Sequence, residues 1–498
     1  MNKLRRLRTI CGSLFLVAAT LLFLDFTGTI HNYLGWVAKV QFLPALLGVH
    51  FIIIFVLFWL TFFFGRLYCS VICPMGLFQD AVSKFASLTN KKRKFSYSPA
   101  KSILRYTVLA LFVAGFFLGA GSFVALLDPY GAFGRMISAL FAPLYQMGNN
   151  VLAGVAENMN SYSFYSTEVI WMAGGVIAIA AITLITVSVL AWRGGRTYCN
   201  SICPVGTILG FVSRFSRFVI TVDESKCNGC RKCVRTCKAS CITPEDRKID
   251  YSRCVVCFDC IDSCNQGAIT YSPRKKQSAA KTETAAPTDK SKRDMLAVSS
   301  AVLVTSALKA EEKMFDGGVA LIDGKKINKR TTPIVPAGAI SYKNFTQKCV
   351  GCQLCVTVCP NNVLRPSTSL MTFMQPEASY EVGFCRPECT KCSEVCPAGA
   401  ITPIDLATKS STKIGIATFI RENCVILTDG VQCEGCATHC PTGAISLVEA
   451  TDKEKYGNRK IPVVDTARCI GCGACENLCP ARPFSAVYVE GVTKHSTI

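Results

Sequence analysis

Histidine is scarce, with four residues in 498, and no Cys-x-x-Cys-His run occurs anywhere. That argues against covalently attached haem c and against His-ligated metal. Acidic residues are outnumbered, 33 against 54 Lys and Arg, for a formal net charge of +21. The basic residues sit beside apolar runs rather than along an aromatic-studded face, so nucleic acid is not the expected partner. No small-residue cleavage site follows the first apolar run, where Asp25-Phe26-Thr27 stands instead. Lys3, Arg5, Arg6 and Arg8 therefore introduce a retained anchor rather than a cleaved signal peptide.

What is abundant is apolar sequence and cysteine. Half of the chain is hydrophobic and the mean hydropathy is +0.34. Four runs, about Ile10 to Leu24, Phe42 to Phe64, Ile103 to Leu127 and Val169 to Trp192, are long enough or nearly so to cross a hydrocarbon core of roughly 30 Å. Lys91, Lys92, Arg93, Lys94 and Lys101 lie between the second and third runs, which puts that loop and both ends of the four-helix unit in the cytoplasm.

Within this unit the sequence repeats. Gly65-Arg66-Leu67-Tyr68-Cys69-Ser70-Val71-Ile72-Cys73-Pro74-Met75-Gly76 matches Gly195-Arg196-Thr197-Tyr198-Cys199-Asn200-Ser201-Ile202-Cys203-Pro204-Val205-Gly206 at most positions. Two related helix pairs about a pseudo-twofold axis would let Cys69, Cys73, Cys199 and Cys203 converge. Soft thiolates gathered in this way bind a metal or cluster, or cycle between dithiol and disulfide. Arg66 and Arg196 would favour the thiolate form and steady a quinone oxygen. The bland alternative is buried structural cysteine. An amphipathic stretch follows each Pro, with Phe78, Ala81, Val82 and Phe85 in one copy and Ile208, Phe211, Val212 and Phe215 in the other.

Cys227, Cys230, Cys233 and Cys237 form CxxCxxCxxxC, and Cys254, Cys257, Cys260 and Cys264 repeat it. In two-cluster ferredoxins the fourth Cys of each run ligates the other cluster, which pairs Cys264 with the first three and Cys237 with the second three. Zinc ribbons use two separated pairs instead. Lys238 and Asn265 replace the Pro that commonly follows, and Cys241 is left unassigned. From about 271 to 294 a Lys, Ser, Thr, Ala and Pro tract reads as a flexible basic linker. Ser291-Lys292-Arg293-Asp294 then precedes a short apolar segment, 295–308, which reads as a transmembrane or twin-arginine-like export segment.

Sixteen cysteines follow in 311–498. They fall into the runs Cys349, Cys352, Cys355, Cys359; Cys385, Cys389, Cys392, Cys396; Cys424, Cys433, Cys436, Cys440; and Cys469, Cys472, Cys475, Cys479. Pro follows each run, and the run spacing implies four 4Fe-4S sites whose fourth-ligand pairing stays open. His439 reads as a surface or packing residue. The expected architecture is a multidomain membrane protein: a four-helix transmembrane unit of two repeats (1–220), an α+β ferredoxin-like domain with two clusters (221–270), the linker, the short segment, and a four-cluster ferredoxin-like domain (311–498). Six 4Fe-4S clusters in all are expected.

On these motifs the first part resembles NapH-type membrane subunits, with two GRxYCxxxCP copies on four helices before a two-cluster module. The part from Ser291 onward resembles NapG- and MauM-type ferredoxins. The resemblance implies a fusion in a bacterial inner membrane, with 221–294 cytoplasmic and 311–498 periplasmic. It implies a quinol dehydrogenase component that oxidises quinol or menaquinol from the membrane pool and passes electrons to a periplasmic reductase, such as nitrate reductase, or a cytochrome. Relatives with CxxxCP repeats also suggest an alternative, an accessory factor that reduces or loads a metal centre in a partner enzyme.

Overall fold

The computed structural model describes residues 3–89, 94–161, 163–169, 171–274, 314–315, 321–322, 324–450 and 459–498. Lys91, Lys92, Arg93, nearly all of the 271–294 linker and the 295–308 segment lie outside the described residues.

A helical bundle occupies the centre. Its first helix, Lys3–Leu24, and the helix Gly174–Gly194 are long and apolar enough to cross a membrane. The other two expected spans are each interrupted in the structure. The run from Phe42 is broken into Phe42–Leu47 and Phe51–Phe64, with Gly48 closing the first piece and Val49 at φ 56° between them. The run from Ile103 is broken into Ser102–Phe117 and Gly121–Leu127 around Gly119, φ 76°. A left-handed residue cannot continue a right-handed helix, so each run folds as two short rods. Pro129–Met136, capped by the Asp128 carboxylate on the Gly131 N–H, then continues through a π-helical turn, Ile137–Phe141, into Ala142–Asn158. These helices were not anticipated from the hydropathy pattern. Much of the bundle's outer face is apolar and bare: Phe51, Ile52, Ile103, Phe117 and Leu118 are all more than 70% exposed.

Each repeat copy builds the same three-piece unit. An apolar helix ends at a positive-φ glycine, Gly65 or Gly195; a one-turn helix carries the first Cys; and a helix starts on the Pro after the second Cys. Pro suits that first turn because its missing N–H has no intrahelical partner there.

A ferredoxin lobe closes on one end of the bundle. Its strands Phe218–Val222 and Ile269–Pro273 pair antiparallel, so the lobe begins slightly before residue 221 and ends slightly beyond 270. Arg5 pairs with Asp259 and Asp262 across this junction, and the Tyr271 hydroxyl donates to the Phe64 carbonyl at 3.1 Å. The last domain meets the opposite end: the Lys391 ammonium donates to the Thr27 carbonyl at 3.0 Å and Arg135 to the Val350 and Gly351 carbonyls at 3.4 and 3.3 Å. Arg5 and Thr27 flank the two ends of the first helix, and at about 1.5 Å per residue its length separates the inner lobe from the last domain by roughly 30 Å. Within that domain the strand Thr412–Phe419 pairs with Val487–Thr497, and Ile445–Glu449 with Lys460–Val464.

Candidate metal centres

The cysteines of the runs gather in fours. One cavity of about 550 Å³ is lined by Cys227, Cys230, Cys233 and Cys264. A second, about 310 Å³, is lined by Cys254, Cys257, Cys260 and Cys237, with Cys241 as a fifth. In the last domain Cys349, Cys352, Cys355 and Cys396 line a cavity of about 340 Å³, and Cys385, Cys389, Cys392 and Cys359 one of about 510 Å³. Cys424, Cys433, Cys436 and Cys479 lie within electrostatic reach of one another, as do Cys469, Cys472, Cys475 and Cys440. Each lobe thus exchanges the last cysteine of its two runs, which answers the pairing that spacing alone leaves open.

These cages suit a cluster better than one ion. Among the described residues no three His, Cys, Asp or Glu side chains converge on the centre of a single metal. Instead, backbone N–H groups point at sulfur: Gly351 to Cys349, Val363 to Cys359, Ala444 to Cys440 and Ala486 to Cys479, at 3.2–3.4 Å. Such bonds steady thiolates that hold iron. The four CxxCxxC loops share one backbone shape, with positive φ at the residues on either side of the second Cys: Gly229 and Arg231, Val256 and Phe258, Gly351 and Gln353, Gly471 and Gly473. Val256 at φ 51° is a strained choice for a β-branched residue, and the strain is held by a loop that must curl round its contents. Burial pushes the Cys352 thiol up to about 12 and that of Cys472 up to about 11, so binding metal at these two releases protons.

Cys241, unassigned by spacing, is 1% exposed, and its sulfur lies 3.6 Å from that of Cys237. It stands four residues after the last Cys of its run, where three other runs have Ala268, Ala400 and Ala444. Its thiol hydrogen bond holds Cys237 below the ordinary thiol range. His439 is exposed, with its ring turned back to the Gly435 carbonyl.

Between the two ends, Cys69, Cys73, Cys199 and Cys203 are buried together, each 4% exposed. Both arginines of the repeat reach across the pseudo-twofold axis. Arg66 donates to the Cys199 carbonyl at 3.3 Å and Arg196 donates to the Cys69 carbonyl. Arg66 also meets the Cys69 sulfur at 3.7 Å, and Gln79 donates to the Cys199 sulfur at 3.1 Å. The remaining guanidinium donors are largely taken, by Asn200 and the Ser252 carbonyl for Arg66 and by Asp80 for Arg196. Fully buried, and with every guanidinium nitrogen but the Arg66 Nε engaged, they lock the repeats together and offer no open face to a quinone oxygen, contrary to the role expected for them.

Six of the seven groups form a series. The Cys254 group abuts the bundle through the Ser252 carbonyl on Arg66 and through Lys238, which pairs with Asp80 and Asp259. The four bundle cysteines come next. Tyr68 and Tyr198 stand beside them, and both feel Asp128. Asp128 and Tyr130 in turn face Cys352 and Cys396. From there Cys355 neighbours Cys392, Cys385 neighbours Cys472, and Cys475 neighbours Cys436. Asp80, Asp128 and Arg135 were not singled out in the sequence, and Lys238 was noted only as the replacement of a proline. The available signal was the break in the repeat at Asp80, where the second copy has Gly210.

Fold and cages together define a multi-cluster iron–sulfur protein of ferredoxin type. A 4Fe-4S binding domain matches residues 46–96 and 173–222, over both repeat copies; a 4Fe-4S dicluster domain matches 430–482, and a second 4Fe-4S binding domain matches 345–365. The methylamine utilization ferredoxin-type protein MauM of Methylophilus methylotrophus is 31% identical over 170 residues, 32% of this chain and 72% of that protein. The ferredoxin-type protein NapG of Escherichia coli K12 is 32% identical over 152 residues, 29% of this chain and 64% of NapG. An uncharacterised protein of Methanocaldococcus jannaschii is 26% identical over 242 residues, 48% of this chain and 75% of that protein. The chain belongs to the MauM/NapG family of ferredoxin-type proteins. No solved structure matches it.

Proposed function

We propose that the chain is a membrane-spanning electron conduit of quinol dehydrogenase type, a NapH-like unit and a NapG/MauM-like domain in one polypeptide. It takes electrons from quinol or menaquinol and passes them through 4Fe-4S clusters to a periplasmic reductase or cytochrome. The observation that carries this reading is the unbroken series of cysteine groups from one end of the bundle to the other, with the four repeat cysteines in its middle. The reading has six clusters on Cys227, Cys230, Cys233, Cys264; Cys237, Cys254, Cys257, Cys260; and the four groups of the last domain, with the repeat cysteines as a shared redox site.

The bare apolar face of the bundle supports a multi-pass span, because exposed apolar area of this extent on a soluble surface would aggregate. The broken helices fit a membrane interior where irregular backbone is sheltered by neighbouring helices. Ferredoxin lobes at opposite ends of the bundle support a cytoplasmic inner lobe and a periplasmic last domain in a bacterial inner membrane. Relatives named for methylamine utilization and for a ferredoxin-type role support electron transfer without fixing the acceptor.

The test is direct. Intact protein should carry about 24 iron atoms from six cubane clusters, menaquinol should reduce them, and protease added to intact spheroplasts should remove the last domain while sparing the inner lobe. Several equivalents of tightly bound zinc with little iron, or protection of both domains, would end this reading.

A further inference from the structure

Where the inner lobe meets the bundle, an open crevice of about 1590 Å³ runs between the helices Lys3–Leu24 and Pro74–Thr89. Leu16, Leu77 and Ala81 supply an apolar wall, and Arg8, Lys84 and Lys238 a polar one. Arg8 is only 8% exposed. One of its terminal nitrogens donates to Asp80 at 2.9 Å, yet its Nε–H is buried with no partner. A buried guanidinium donor left unpaired is destabilising, so an oxygen acceptor from outside the chain is the expected remedy.

The charges around it narrow the class of that acceptor. Arg8 and Lys238 are paired with Asp80, Lys238 also with Asp259, and Arg5 with Asp259 and Asp262. Lys84 and Arg235 also line the crevice and leave it net positive, which favours an oxygen that develops negative charge, as a quinol oxygen does on losing its proton. The position narrows it further. Lys238 follows Cys237 directly, Arg8 lies within electrostatic reach of Cys257, and Asp80 holds the Arg196 that donates to the Cys69 carbonyl. The crevice thus lies between two redox groups, with Leu16, Leu77 and Ala81 along one wall.

We propose that this crevice seats the ring of a membrane quinol, with one ring oxygen accepting from the Arg8 Nε–H and the isoprenoid tail lying along Leu16, Leu77 and Ala81. The proposal rests on the quinol-oxidising reading above and moves the ring away from Arg66 and Arg196. Oxidation breaks two O–H bonds and releases two electrons and two protons. The electrons go one each to two oxidised 4Fe-4S clusters of the conduit. The protons leave to water through the open mouth, because both oxygens of Asp80 are already held by cations.

The test uses the full chain in nanodiscs of zwitterionic lipid. Binding of the quinol analogue 2-heptyl-4-hydroxyquinoline N-oxide is read by fluorescence quenching, and menaquinol-driven cluster reduction by absorbance. Ala81→Trp, at an exposed position, fills the mouth; Arg8→Lys keeps the charge on Asp80 but removes the Nε donor. Each variant is expected to weaken analogue binding about tenfold or more, which is roughly 1.4 kcal/mol, and to slow menaquinol-driven reduction, with iron content and dithionite reduction unchanged. Wild-type binding in both variants overturns the crevice, and so does an Ala81→Trp protein that binds the analogue normally but has lost a co-purifying anionic phospholipid. If wild-type clusters accept electrons from dithionite but not from menaquinol, the quinol reading itself falls and the crevice with it. Normal reduction by menaquinol in wild type and both variants removes the crevice alone.

Discussion

The two copies of the repeat have the same backbone and different charges. In both, the arginine before the one-turn helix crosses to the other copy's cysteine carbonyl, and Gly76 and Gly206 leave room for it: a Cβ at either would lie 2.3–2.4 Å from that carbonyl's counterpart in its own copy and within 2.8 Å of the visiting guanidinium. Four residues on, the copies part. The first has Asp80, which draws Arg196, Arg8 and Lys238 together; the second has Gly210, which lets the Ser252 carbonyl of the inner lobe approach Arg66. Duplication supplied a symmetric cage, and divergence at one position made one half a docking seat for the ferredoxin and the other half the floor of an open crevice.

The symmetric part of the comparison is tested first, and there the largest effect is expected. If the four cysteines act as one site, Cys69→Ser and Cys199→Ser should each slow menaquinol-driven reduction of the outer clusters by about a thousandfold, equivalent to roughly 4 kcal/mol in barrier. Iron content and dithionite reduction should persist. A single variant that keeps near-normal rates would leave the cysteines with a structural role.

The asymmetric part is tested by Asp80→Asn. It strands Arg196, which is 1% exposed, beside Arg8 and Lys238 with one carboxylate removed from among three cations. Breaking a buried pair by removing one partner costs about 3–5 kcal/mol, and thermal unfolding of the solubilised protein should register it. An Asp80→Asn protein of wild-type stability would mean that the charge asymmetry is decorative.

Much of this arrangement was legible in the sequence, and the illegible remainder has physical causes. Cysteine spacing carries the cages because a cubane needs three ligands on a tight loop, and Cys227 to Cys233 or Cys349 to Cys355 can curl in no other useful way. Helix breaks were hidden because Val49 and Gly119 do not interrupt the hydropathy of their runs, while their positive φ ends a helix all the same. Asp80, Asp128 and Arg135 were hidden because their meaning lies in groups far off in sequence: Arg196, Tyr198 and Val350. Arg66 and Arg196 were visible as a repeated pair, but only the structure shows their donors turned to carbonyls and a carboxylate instead of outward.

Gly210→Ala should act on one copy alone. The new Cβ would lie 2.4 Å from the Ser252 carbonyl oxygen and 2.9 Å from Arg105, so the inner lobe must shift. Overpacking against backbone costs roughly 1–3 kcal/mol, and the upper end is expected. Protease sensitivity of the inner lobe should rise, while Gly76→Ala and Gly206→Ala should match each other and loosen the bundle as a whole. Equal lobe sensitivity in all three would erase the distinction between docking seat and cage.

The smallest effect separates Ser70 from Asn200, which occupy the same place in the two copies. Asn200 accepts from Arg66 at 2.7 Å and donates to the Ala239 carbonyl of the inner lobe at 3.2 Å, whereas the Ser70 hydroxyl reaches only the Leu67 carbonyl of its own turn, at 3.1 Å. Asn200→Ala removes a bond to a buried charge, and because Arg66 keeps the Ser252 and Cys199 carbonyls the cost should sit near the low end of such losses, about 1.5 kcal/mol. Ser70→Ala deletes a local bond that the helix does not need, and about 0.5 kcal/mol or less is expected. Denaturant midpoints at unchanged slope would measure both. Equal costs would mean that Asn200 contributes nothing to docking the inner lobe, and the second copy's claim to be the docking seat would then rest on Gly210 and the Ser252 carbonyl alone.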